Sequence, residues 1–174
     1  MTRQEEELLA ILVADNSRTF VPAPEGLHQA VCCDVIDLGV VEGKFGAKHR
    51  IEIRWLINEL NDEGRLFMVT KKYTASLNEK ASLRQDLEAW RGKKFNKDDL
   101  KGFDVEQLLG VNCQIQVVHV TLDDGRTFAN VKAVVPLMKG MQKMTVPEDF
   151  KRKADRELDV DLPANDMATD HPPF

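Results

Sequence analysis

Four apolar side chains at alternate positions, Ile51, Ile53, Trp55 and Ile57, with Arg50, Glu52 and Arg54 among them, dictate a half-buried β-strand over residues 48–58. A helix would scatter the same residues around its circumference, so the segment buries its apolar half only as part of a sheet. The period of two extends to the flanking segments. Residues 27–37 form a first strand, and residues 39–47, with Gly43 and Gly46, a flexible loop. Asn61-Asp-Glu-Gly64 is a hairpin turn and residues 66–74 are the third strand.

A helix comes after the third strand. Asn78 is its expected N-cap; Leu83, Leu87 and Trp90 recur at i, i+4 and i+7, and Gly92 stops it. Short helical pieces over residues 98–101 and 105–109 lead to a fourth strand, 112–121. Asp123-Asp124-Gly125 turns the chain into a fifth, 126–135. Three strands, a helical connection and a two-stranded hairpin is the element order of the OB fold, a five-stranded Greek-key barrel. The expected class is therefore mainly β (α+β): an OB-fold barrel with a helical connector between strands 3 and 4. Before it, Leu8, Leu9, Ile11 and Leu12 behind three glutamates predict a helix within residues 4–14, either a lid or an oligomer contact. The domains expected are a helical extension over 1–24, the barrel over 25–150 and an acidic tail over 151–174.

The formal net charge is −5 and the pI about 5.4, which excludes a simple basic nucleic-acid binder. The charge is polarised, however. Residues 154–174 hold six acids and one base, a net of −5, so residues 1–153 sum to zero; residues 43–102 hold fourteen Lys/Arg against nine Asp/Glu, a net of +5. A basic middle and an acidic end point to a charged partner, and the tail itself can compete for the basic surface. The tail is too acidic and too poor in aromatics to bury a core, so it is expected to be disordered. Yet Asp170 is followed by Pro172, Pro173 and Phe174, whose aromatic ring is a compact handle for a partner's pocket. A solubilising tail is the competing reading.

Single strands bind OB barrels on strands two and three, flanked by the loops joining strands one to two and four to five. The first of these loops carries Lys44, Phe45 and Lys48: cations for phosphates around an aromatic ring for base stacking. Strand two presents Arg50 and Arg54, for which ordinary solvated charge is the competing reading. On strand three, Phe67, Val69, Lys71 and Tyr73 alternate with Met68, Thr70 and Lys72. If the first set faces outward, Lys71 and Tyr73 join a stacking stripe; if inward, Tyr73 is core and Lys72 serves alone. Strand five puts Thr127, Ala129, Val131, Ala133 and Val135 inside, leaving Phe128 and Lys132 outside beside Arg126. Trp55 shares its face with isoleucines and is core, and Trp90 packs the helix.

No catalytic constellation emerges. His28, His49, His119 and His171 are scattered, no metal-ligand spacing or phosphate-binding loop occurs, and no cofactor is expected. Cys32, Cys33 and Cys113 include no CxxC, and the adjacent pair points to opposite faces of a strand, so all three read as reduced apolar residues of a cytoplasmic protein. No signal peptide opens the chain and no run reaches the ~20 apolar residues of a membrane span. A non-enzyme is expected.

With the element order and the Pro-Phe tail in view, the chain resembles OB-fold single-stranded-DNA-binding proteins. Residues 26–140 are similar to small phage and prophage proteins of that kind, in wording such as VTKKYTASLNEKASLRQDLEAWRGKKF and GFDVEQLLG. The resemblance implies non-catalytic coating of single-stranded DNA in replication, recombination or repair, with the tail recruiting enzymes of those processes. The long connector and N-terminal helix depart from the bacterial housekeeping family, which leaves a monomer and a homodimer both open. A regulatory or protein-interaction OB module and an accessory subunit of a recombination enzyme are the rival readings.

Overall fold

A computed structural model describes residues 21–156. The helix expected within 4–14 and the stretch from Glu157 onward, with Asp170, Pro172, Pro173 and Phe174, lie outside the described residues. Five strands form one antiparallel sheet: β1 (Gly26–Gly43), β2 (Gly46–Leu60), β3 (Leu66–Thr74), β4 (Asn112–Thr121) and β5 (Thr127–Val135), in the order β3-β2-β1-β4-β5. β3 and β5 are the sheet's two edges, yet their residues approach within 8 Å between Cα atoms, so the sheet curls on itself without a hydrogen-bonded ladder to close it. Helix α1 (Ser82–Arg91) and the 3-10 turns Asp99–Lys101 and Val105–Leu108 connect β3 to β4.

The core arises from the alternation. Ile51, Ile53, Trp55 and Ile57 are all buried on one face of β2, and α1 closes that face with Leu83, Leu87 and Trp90. The Trp55 and Trp90 rings lie 5.9 Å apart, tilted by 54°. Trp90 Nε1 donates to Asn112 O at 3.0 Å; the buried Trp55 Nε1 has no partner among the described residues. Gly92, in the left-handed region at φ 74°, caps α1 as expected. The N-cap, however, is Ala81 rather than Asn78. The Asn78 side chain accepts from the Lys80 amide ahead of the helix, an Asx turn that competes with capping.

Three bulges alter the parity read from the sequence. β1 carries irregularities between Cys32 and Asp34 and between Asp37 and Gly39, and β5 places Lys132 as the extra residue opposite Gln116–Val117. Beyond that bulge the parity reverses, so Val134 (1% exposed) rather than Ala133 or Val135 enters the core.

The three cysteines are buried and unpaired, Cys32 in the main core and Cys33 in a smaller cluster on the opposite face. Burial pushes the thiols of Cys32 and Cys33 up to about 12 from an ordinary 9.0, and Cys113 upward as well. At pH 8 the folded protein is therefore expected to resist a thiol-specific disulfide reagent until denatured, which absorbance of the released thiolate measures. The unfolded chain ionises these groups near 9.0 and the folded chain only near 12, so stability is intact below the first value and falls as pH rises between the two.

A strap over the outer face completes the fold. Met144, Val146 and Phe150, together with Leu66, pack on Val31, Cys33 and Leu56. Asn112 holds the strap through both its amide atoms, donating to Met144 O at 2.8 Å and accepting from Met144 N at 2.7 Å. Gln29 Nε2 donates to Gln142 O at 2.6 Å. The strap ends in a clasp: Arg152 Nε donates to Asp34 Oδ1 and the Lys153 amide to Asp34 Oδ2, both at 2.9 Å, with Asp34 only 1% exposed. Arg152 and Lys153, within the tail expected over 151–174, thus contact the sheet, because a buried carboxylate in β1 takes their donors.

Candidate nucleic-acid interface

β1 and β2 outrun the rest of the sheet. β3 stops at Thr74, opposite Arg50, whereas the β1–β2 ladder continues through Val40↔His49 and Val41↔Lys48 to Gly43↔Gly46. The flexible loop expected over residues 39–47 is therefore a paired ribbon whose turn is only Lys44 and Phe45. Gly46 makes the turn with φ 100°, open to glycine and strained for other residues. Such a ribbon has no core to hide Phe45, which is 84% exposed. Lys44 Nζ lies 5.9 Å from its ring centroid.

Directly opposed residues of an antiparallel pair share a face. Val41 and Lys48, then Arg50, therefore lie on the outer face, and Lys72 of β3 joins them one pair further on, opposite Glu52. Lys44, Phe45, Lys48, Arg50 and Lys72 surround one groove of about 450 Å³, floored by Leu38 and Val41 and holding one acid, Glu42. Four cations to one anion make it electropositive. Arg50 also donates weakly to Thr74 Oγ1, its partner across β3, at 3.4 Å.

The other expected residues do not converge there. Strand three faces inward: Tyr73 is 1% exposed, and its hydroxyl donates to Asp86 Oδ2 at 2.6 Å. Lys71 Nζ reaches the same oxygen at 2.8 Å. Both tie β3 to α1, so Lys71 and Tyr73 leave the candidate site, and burial with the Asp86 hydrogen bond raises the Tyr73 phenol well above its usual range. Arg54 is on the outer face, but its Nε donates to Glu52 Oε2 at 2.7 Å beside the strap, and Glu52 is itself buried. Arg126 and Phe128 form a separate cluster on the β4–β5 hairpin, with the guanidinium carbon 5.7 Å from the ring centroid and Arg126 Nε 2.6 Å from Asp124 Oδ2. Gly26 at the start of β1 pairs with Val117, and β4 runs on from there toward this hairpin, so the two hairpin turns lie beyond opposite ends of β1. Lys132 is exposed on β5, outside both clusters.

The sequence matches no protein-family model and no curated protein. Among the described residues no group of three His, Cys, Asp or Glu could hold a metal ion, and no helix is long and apolar enough to cross a membrane. The chemistry on offer at the ribbon is cationic and aromatic, suited to phosphates and planar rings. Sequence reasoning missed Leu38 and Val41, the groove's apolar floor. The adjacent β-branched pair Val40-Val41, just before Gly43-x-x-Gly46, was the available signal that strand rather than loop continues there.

Proposed function

We propose that the protein binds single-stranded nucleic acid at the β1–β2 ribbon, without catalysis, and that its sheet is an OB barrel left open between β3 and β5. One observation carries the reading: a Phe45 exposed to 84% stands among Lys44, Lys48, Arg50 and Lys72 around a single groove. An exposed ring supplies sequence-tolerant stacking and the cations track a phosphate backbone. Coating DNA in replication, recombination or repair, with Asp170, Pro172, Pro173 and Phe174 recruiting partner enzymes, is the biological role that fits.

Fluorescence anisotropy with a labelled oligo-dT and an equal duplex, across a salt series, tests it. The expected result is micromolar or tighter binding to the single strand, weaker binding to duplex, and a steep loss with salt. Equal affinity for duplex, or none at low salt, removes the reading. A rival gains support from the strap, which covers outer sheet surface a strand would otherwise use: the groove would instead bind an acidic protein segment. In that case polyglutamate displaces the oligonucleotide at equal charge concentration and Phe45→Ala changes little.

A further inference from the structure

A pocket of about 370 Å³ opens on the inner face at the root of the ribbon, within the ~300–1,000 Å³ typical of small-molecule sites. Three segments build it. β3 ends at Thr74, and the Ala75 amide then donates to His49 O at 2.8 Å, which holds the following Leu77 at the pocket wall. The 3-10 turn Val105–Leu108 starts on Asp104, whose side chain accepts from the Glu106 amide at 3.0 Å, and brings Glu106 to the same pocket. From the sheet and α1, Val35, Ile51 and Leu83 supply an apolar floor. Phe103, packed on Phe95 with 5.4 Å between ring centroids, adds an aromatic wall.

The rim is polar and anionic. Asp37 Oδ1 accepts from the Gly39 amide at 2.8 Å and lies 2.7 Å from His49 Nε2; Glu106 Oε1 accepts from Arg152 Nη2 at 3.1 Å. Each carboxylate keeps its second oxygen, Asp37 Oδ2 and Glu106 Oε2, without a hydrogen bond to any described residue. The Gly39 amide, and then His49, hold the Asp37 carboxyl below its usual range, so it is an ionised acceptor at neutral pH. Two carboxylates repel a phosphate, and Asp37, His49 and Glu106 do not make up a metal-ligating group. What fits an apolar slot with acceptors at its mouth is a flat ring that carries neighbouring N–H donors on one edge.

The ribbon supplies such rings. Lys48 and Arg50 line the outer groove, while His49 and Ile51, alternating with them on β2, line this pocket, so only the thickness of the sheet separates the two. Along residues 46–48, β2 pairs with β1 alone, which leaves an edge around which a base can pass. We propose that the pocket takes one guanine of a strand bound at the ribbon, its ring on the apolar wall and its N1–H and N2–H edge toward Asp37 and Glu106. Guanine presents two adjacent donors there; thymine offers one N–H between two carbonyls, which the carboxylates repel. The choice of a nucleobase rests on the nucleic-acid reading of the ribbon, and it adds one discriminating position to contacts that are otherwise sequence-tolerant.

The full-length chain, labelled at Ile, Leu and Val methyl groups and titrated with guanosine or with thymidine, provides the test. Guanosine is expected to shift the Val35, Ile51, Leu77 and Leu83 signals, and thymidine at the same concentration to leave them, while Leu56 on the outer face stays in place with both. In anisotropy, an oligo-dT carrying one central dG is expected to bind about fivefold or more tightly than all-dT. Asp37→Asn with Glu106→Gln should bring the ratio of the two affinities to about one. Equal shifts with thymidine, no shift with guanosine, or a dG preference that survives the double substitution overturns the proposal. Shifts with a Trp-Arg dipeptide and none with guanosine assign the pocket to a protein side chain and overturn it equally. Guanosine carries no phosphate and needs no cation of the ribbon. Failure of oligo-dT to bind therefore removes the ribbon reading alone, and the methyl shifts decide this one.

Discussion

Arg152→Ala is expected to lower the free energy of unfolding by about 3 kcal/mol, which urea unfolding would read as a fall in the midpoint at unchanged slope. The substitution strands the Asp34 carboxylate, which is 1% exposed and retains only the Lys153 amide of its two donors among the described residues. Removing one partner of a buried ion pair costs about 3–5 kcal/mol; the lower end applies because the Arg152 side chain is 32% exposed and water reaches the gap. Contacts from Arg152 to Val35 O at 3.2 Å and Glu106 Oε1 at 3.1 Å are lost as well. Asp34→Asn combined with Arg152→Ala should be less destabilising than the sum of the single changes, because the neutral amide no longer needs the cation. A change within about 0.5 kcal/mol for Arg152→Ala would show that the strap is held by Met144, Val146 and Phe150 alone.

The second large effect concerns the ribbon. Phe45→Ala is expected to weaken the proposed single-strand binding by about 1–3 kcal/mol, roughly 5- to 150-fold, with the salt dependence unchanged, since a stacked base releases no counterions. Its stability stays within about 0.5 kcal/mol of wild type, because the ring is 84% exposed and packs on no core. Lys44→Ala, Lys48→Ala and Lys72→Ala together lower the salt slope by about 2, at about 0.7 per phosphate contact on a single strand. The contrasting variant is Tyr73→Phe. It removes the 2.6 Å hydrogen bond to Asp86, costs about 1 kcal/mol of stability and leaves binding untouched. Anisotropy and urea unfolding on the wild type and these three variants separate the cases. A Phe45→Ala protein that binds as tightly as wild type places the nucleic-acid site elsewhere.

Elements whose pattern is local were legible in the residues alone. β2, β3 and β4, helix α1 with its Gly92 cap, and the two 3-10 turns arise from periods of two and 3.6 and from turn residues. The cationic and aromatic residues at the head of β2 were legible for the same reason: Lys44, Phe45 and Lys48 are neighbours in sequence and stay neighbours in space. The errors fall where a non-local partner decides. A glycine-rich stretch reads as loop until Val40 and Val41 find His49 and Lys48 across the ladder.

By itself, then, the sequence determined that this chain forms an antiparallel sheet with one apolar face, a helical connector and a basic, aromatic connection between its first two strands, because side-chain alternation and turn chemistry act over a few residues. Only the tertiary structure decided which faces those side chains serve. Lys71 and Tyr73 turn inward because Asp86 of α1 waits there for both of them. Arg54 pairs with Glu52 beside a strap drawn from residues 144–150. Arg152 joins the fold because a carboxylate 118 residues earlier in the chain is buried and must be paired. Parity, pairing and coverage depend on contacts between segments far apart in sequence, and no local pattern encodes which of two compatible faces another element will cover.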